Sequence, residues 1–283
     1  MYRLGFPRAR TLTRLCPPQR AIWPSRRLAS TVAPDGSTLV TATNRAEATL
    51  KRFWKSVEIE ERGDSLAITL DSRALKTPGG KPLLLPRSKL IAATLIVTEW
   101  ENQRNVLKPH ALPMTSLAAR AIDAMNDVPT RTDVRTALLK YLDTDTICFH
   151  QDYPDPLVRL QDEHWNPLLA WARDTFNIEL LTSQSVLFSA QPDATKKILD
   201  EALQKLDSWQ MAAVERATYT TKSLIIAIAL IHGRITAEQA ALASQVEVAS
   251  QIERWGEVED SHDVDYHDVR RHIGSVACLL ASV

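Results

Sequence analysis

Residues 257 to 272 hold the densest set of potential ligands and acid–base groups in the chain: Glu257, Glu259, Asp260, Asp263, Asp265 and Asp268, interleaved with His262, His267 and His272. Imidazoles among carboxylates are the donors of a metal centre. On a helix, however, residues five apart are rotated by about 140°, so these histidines do not share a face. The segment therefore reads as the acidic start of a helix, favoured by the helix dipole, with Asp263/His267 and Asp268/His272 as i, i+4 pairs. No metal is expected there. The chain contains no GxSxG, HExxH or GxGxxG, and Lys222-Ser223 lacks the glycine loop that would cradle a phosphate. Neither a nucleotide nor any other cofactor is implied.

Glu247 is the other acid that stands out. A helix read across Thr236 to Trp255 places Ala241, Val248, Ile252 and Trp255 on one apolar arc, extended by Leu242, Val246 and Ala249. Glu247 then falls on the opposite side, among Ala240, Ala243, Ser244 and Ser250. An acid surrounded by small residues predicts an accessible charge on a smooth surface, suited to another protein's arginine or helix, although the geometry alone fits an ordinary solvated glutamate as well.

The elements that must position these groups follow from periodicity. Val57 and Ile59, then Leu66, Ile68 and Leu70, alternate with polar residues around Arg62-Gly63-Asp64, which predicts a hairpin with one buried face. Thr77-Pro78-Gly79-Gly80 predicts a second turn, joining Ala74-Leu75-Lys76 to Leu83-Leu84-Leu85. A sheet this small needs helices to cover it. From Ser88, read as a helix cap, the pattern is almost wholly helical: through Trp100, then 114 to 125, a helix opened by Asp133, and a long helix from Pro156 through Phe176. Further helices fit residues 192 to 206, 208 to 218, 221 to 232, 236 to 255 and 261 to 281. Residues 224 to 231, LIIAIALI, are apolar on every side but far shorter than the roughly 20 residues of a membrane span, so they predict a core helix stopped by His232-Gly233. Thr236 and Gln239 have the spacing of a capping box.

The fold class is therefore α+β, a small β-rich N-terminal domain over residues 51 to 112 followed by a larger all-α domain over 113 to 283. Ahead of them, residues 1 to 30 carry seven arginines and no acid, interrupted by prolines, the composition of a mitochondrial transit peptide with a processing site near Arg26-Arg27-Leu28-Ala29-Ser30. Residues 31 to 50 show no sustained period and read as a linker. Removing the seven arginines turns a balance of 34 basic and 34 acidic residues into 27 against 34, which argues against nucleic-acid binding. Cys148 and Cys278 lack CxxC spacing and are expected as buried thiols.

Several segments together carry a family resemblance: Thr98-Glu99-Trp100; Leu112-Pro113-Met114-Thr115-Ser116-Leu117 with Ala121-Ile122-Asp123; Tyr141-Leu142-Asp143-Thr144-Asp145; Trp165-x-Pro167-Leu168-Leu169-x-Trp171; and Glu247-x7-Trp255-Gly256. In order and spacing, over about Lys51 to Leu280, they resemble the mitochondrial F1-ATPase assembly chaperones that protect the α subunit, the ATP synthase F1 complex assembly factor 2 family. The resemblance implies a non-enzymatic matrix protein that holds unassembled F1 α subunit until the β subunit replaces it. It carries Glu247 over as a client contact, with Glu99 and Trp100 as further client-binding candidates, although Trp100 is expected chiefly to lock its helix against the fold. The chain departs from the family around Glu247, flanked here by Val246 and Val248, and in the Asp/His-rich segment after Gly256. Two other classes remain open on the residues alone. A matrix hydrolase or isomerase using carboxylates such as Glu247 and Asp260 predicts a concave polar pocket. A permanent subunit of the assembled synthase predicts fixed stoichiometry with it.

Overall fold

The computed structural model describes residues 51 to 185 and 190 to 282. The expected transit peptide and linker lie outside the described residues. The alternating residues form β1 (Val57–Arg62) and β2 (Ser65–Leu70), an antiparallel hairpin in the register Val57↔Leu70, Ile59↔Ile68 and Arg62↔Ser65. Its turn uses Gly63 at φ +60°, a left-handed conformation that a Cβ disfavours. Two short strands, β3 (Arg73–Ala74) and β4 (Leu84–Pro86), pair antiparallel with β2, which is therefore central and buried from Leu66 to Leu70. The turn between β3 and β4 is fastened from outside the sheet. Asp123 accepts from the Thr77 hydroxyl at 2.7 Å and from the Gly79 amide at 2.8 Å. A Cβ on Gly79 would stand 2.7 Å from that carboxylate, so a side chain there would have to displace it.

Helix α1 (Leu90–Glu101) covers the sheet with Ala92, Ala93, Ile96 and Trp100. It follows a 3-10 turn over Arg87–Lys89, and no side chain caps it, so Ser88 does not serve as its cap. After it come α2 (Pro113–Asp123) and α3 (Val128–Asp143). The latter begins five residues before the expected Asp133, because Asp127 accepts from the Thr130 amide at 3.0 Å and Pro129 fits the first turn.

The long helix expected from Pro156 to Phe176 is two helices, α4 (Asp155–His164) and α5 (Asn166–Phe176), divided at Trp165. The chain continues through α6 (Asp193–Gln204), α7 (Ser208–Thr221) and α8 (Leu224–Ile231), the apolar helix, buried from Leu224 to Leu230. Gly233 at φ +66° follows its end. Thr236 and Gln239 form the expected capping box at the start of α9 (Ala237–Ser244).

The second departure concerns the helix expected over Thr236 to Trp255. It breaks at Gln245 into α9 and α10 (Val246–Trp255), before the final helix α11 (Glu259–Leu280). Trp165 supplies the reason: its indole Nε1 donates to the Ala243 carbonyl at 2.7 Å. In a continuous helix that carbonyl would take the amide of residue 247. One buried tryptophan, 1 % exposed, thus sits at both breaks.

Resetting the phase breaks up the projected arc, of which Ala241 and Val246 are buried and Val248, Ala249 and Ile252 half-buried. Trp255 is 70 % and Leu242 40 % exposed, whereas Ala240, Ala243 and Ser250, expected as a smooth surface, are buried. One buried hydrophobic cluster runs from Trp54 beside the sheet to Leu279 in α11. Among the described residues no helix is long and apolar enough to cross a membrane.

Candidate functional site

Glu99 and Trp100, adjacent near the end of α1, converge on Thr115 of α2. Helix α2 begins at Pro113 without a side-chain cap of its own. The Glu99 carboxylate supplies one from another helix: Oε1 accepts from the Met114 amide at 2.6 Å, and Oε2 accepts from the Thr115 amide at 2.9 Å and the Thr115 hydroxyl at 2.7 Å. The Trp100 indole N–H donates to the same hydroxyl at 3.0 Å. Burial pushes the Glu99 carboxyl above its ordinary value, while those donors pull it back. Trp100 is 9 % exposed and packs against Trp54 with ring centroids 5.0 Å apart and the ring planes tilted by 59°. The polar groups of both residues are therefore engaged in hydrogen bonds within the protein.

This joint forms part of one wall of an open groove of about 810 Å³. Leu95 and Thr98 of α1 and Met114 of α2 contribute to that wall, the loop around Val106 lies along another side, and α11 closes the groove with Gly274, Ser275 and Cys278. Arg104 and Lys108 stand exposed at its rim. Arg271, also lining it, is held by Asp268 and by the His110 carbonyl, the latter at 2.8 Å.

Glu247 sits elsewhere, in the first turn of α10, where the break at Gln245 creates a helix N-terminus that favours its charge. It is exposed and has no ion-pair or hydrogen-bond partner among the described residues. Further along α10, the Arg254 guanidinium lies 5.0 Å from the Trp255 ring and 5.3 Å from that of Tyr153, two aromatic side chains 70 % and 66 % exposed. In the Asp/His-rich segment, His262 Nδ1 accepts from the Val258 amide at 3.0 Å, and His272 Nδ1 lies 3.2 Å from Asp268. Among the described residues no cluster of histidine, cysteine and carboxylate side chains assembles a metal site.

The remaining resemblance segments also act as joints. Asp143 accepts from the Gln191 amide at 2.8 Å and from Lys196 at 2.9 Å, fastening α6. Asp145, fully buried, accepts from the Ile225 amide at 3.1 Å at the start of α8, and burial raises its carboxyl to about 6. Their common chemistry is the closing of helix ends by side chains distant in sequence.

A chain with these joints in this order has relatives. The family model described as ATP12 chaperone protein matches residues 51–173. The mitochondrial protein atp12 of Schizosaccharomyces pombe is 32 % identical over 241 residues, covering 82 % of this chain and 83 % of that protein. The chain belongs to the ATP12 chaperone family. The mitochondrial ATP12 protein of Saccharomyces cerevisiae is 30 % identical over 279 residues, covering 84 % of this chain and 86 % of its own length. In three dimensions, the crystal structure of Atp12 from Paracoccus denitrificans superimposes with a TM-score of 0.70 at 30 % identity, covering 83 % of this chain and 98 % of that one.

Within the ATP12 framework, sequence reasoning missed the groove and the capping role of Asp145. The groove had one local signal, Gly274 within an otherwise helical pattern. Asp145 had none, because its partner lies eighty residues away.

Proposed function

We propose that this protein binds the unassembled α subunit of F1-ATPase in the mitochondrial matrix and keeps it from aggregating until the β subunit replaces it. An obligate subunit carries an apolar interface that is an aggregation hazard while unpaired. The observation carrying the proposal is the open groove: its floor is largely apolar, and its carboxylate, Glu99, is committed to capping a helix. That surface suits holding a chain segment rather than turnover. The arginine-rich residues 1 to 30 supply the import signal, in keeping with relatives named as mitochondrial. Glu247 is a direct client contact, while Glu99 and Trp100 act from inside by holding α1 against α2.

The test is to dilute denatured F1 α subunit into buffer with and without the purified protein and follow light scattering. Suppressed scattering and a co-eluting complex are expected. Unchanged aggregation with no complex would refute the proposal.

A further inference from the structure

We propose that the groove between α1, the loop over residues 102 to 112 and α11 is the docking site for a client segment that combines apolar side chains with one or more carboxylates. This rests on the chaperone reading above and names the chemistry of the segment bound.

The shape comes from small and apolar residues. Gly274 faces the groove from inside helix α11, where a Cβ built on it meets nothing within 4 Å. A glycine in a helix interior costs about 1 kcal/mol relative to alanine. Here its lack of a side chain leaves the groove open. Leu95, Met114 and Cys278 form apolar lining, and Val106, 44 % exposed, stands at the edge.

The charge comes from the rim. Residues 51 to 283 contain 26 basic and 32 acidic side chains, yet the groove is lined by Arg104, Lys108, Arg270 and Arg271 against the single carboxylate of Glu99. Arg270 is paired with Glu238, and Arg271 with Asp268. Arg104 and Lys108 are exposed and have no ion-pair partner among the described residues. A positive rim over an apolar floor, on an otherwise acidic protein, selects an acidic and apolar segment and repels a basic one.

The experiment uses the full chain and F1 α subunit as the probe. Gly274→Trp fills the groove from a position where an added Cβ meets nothing within 4 Å. It should leave the melting temperature within a few degrees of wild type while weakening α-subunit binding about tenfold or more. Arg104→Glu combined with Lys108→Glu, at two exposed positions, should weaken binding similarly and reduce its sensitivity to salt.

Cys278 gives an independent footprint, read as alkylation of its own peptide by mass spectrometry. Bound α subunit should slow its modification, while Cys148, buried and with its thiol pushed up by burial, stays unmodified in either state. If wild type binds α subunit but Gly274→Trp binds equally well and Cys278 is not protected, the groove is not the site. If Gly274→Trp fails to fold, the double charge reversal and the footprint decide. Loss with Gly274→Trp but not with the charge reversal overturns the carboxylate chemistry. Failure of wild type itself to bind α subunit refutes the chaperone reading, a separate result.

Discussion

At the scale of single residues, the side chains that first look chemical are mostly structural. Glu99 looks like a free acid in the sequence, yet it takes three donors at the start of α2. Glu99→Ala should lower unfolding free energy by about 1–2 kcal/mol, the scale of losing a helix cap. It should also speed amide exchange at Met114 and Thr115; unchanged exchange there would contradict the capping role. Trp100 combines core burial with a hydrogen bond to Thr115. Trp100→Ala should cost about 3–5 kcal/mol, with soluble yield falling together with client binding. A variant of native stability that no longer binds would instead place the indole at the client surface.

At the scale of elements, helix ends decide the layout. The apolar helix α8 starts inside the protein, where its first amides have no water, and Asp145 and Ser223 accept from them. The Asp145 carboxyl is raised from 3.8 to about 6, so the folded state binds its proton more tightly than the unfolded chain does. Its contribution is full below about pH 4 and is lost as the pH rises through about 6. Asp145→Asn, which stays neutral, should make the stability advantage of wild type over the variant shrink by up to about 3 kcal/mol between pH 4 and pH 7. Denaturant unfolding at three pH values measures this, and a constant difference would remove Asp145 as the titrating group. The break between α9 and α10 follows the same logic, with Trp165 taking a carbonyl that helix continuation would need.

At the scale of the whole molecule, the groove and the exposed face of α10 are the surfaces proposed for the client. Glu247→Lys should leave the circular dichroism spectrum native, because the residue is exposed and makes no ion pair among the described residues. Suppression of α-subunit aggregation should fall by roughly the tenfold that about 1.4 kcal/mol represents. Equal suppression would take Glu247 out of the client surface. Much of this organisation was legible beforehand: the hairpin, the TPGG turn, the core helix and the capping box rest on neighbours within a few residues. The groove was not, since its walls are drawn from residues 95 to 114 and 270 to 278.

The sequence by itself determined the α+β order of elements, the buried character of α8 and the family, because periodicity, turn residues and local spacing are encoded over short stretches of chain. Only the tertiary structure decided the roles of the acids and tryptophans. Whether Glu99 is free or caps a helix, whether Trp165 breaks one, and which face of α10 meets water all depend on hydrogen-bond partners 15 to 78 residues away. Sequence spacing carries no information about such partners until packing brings them within about 3 Å.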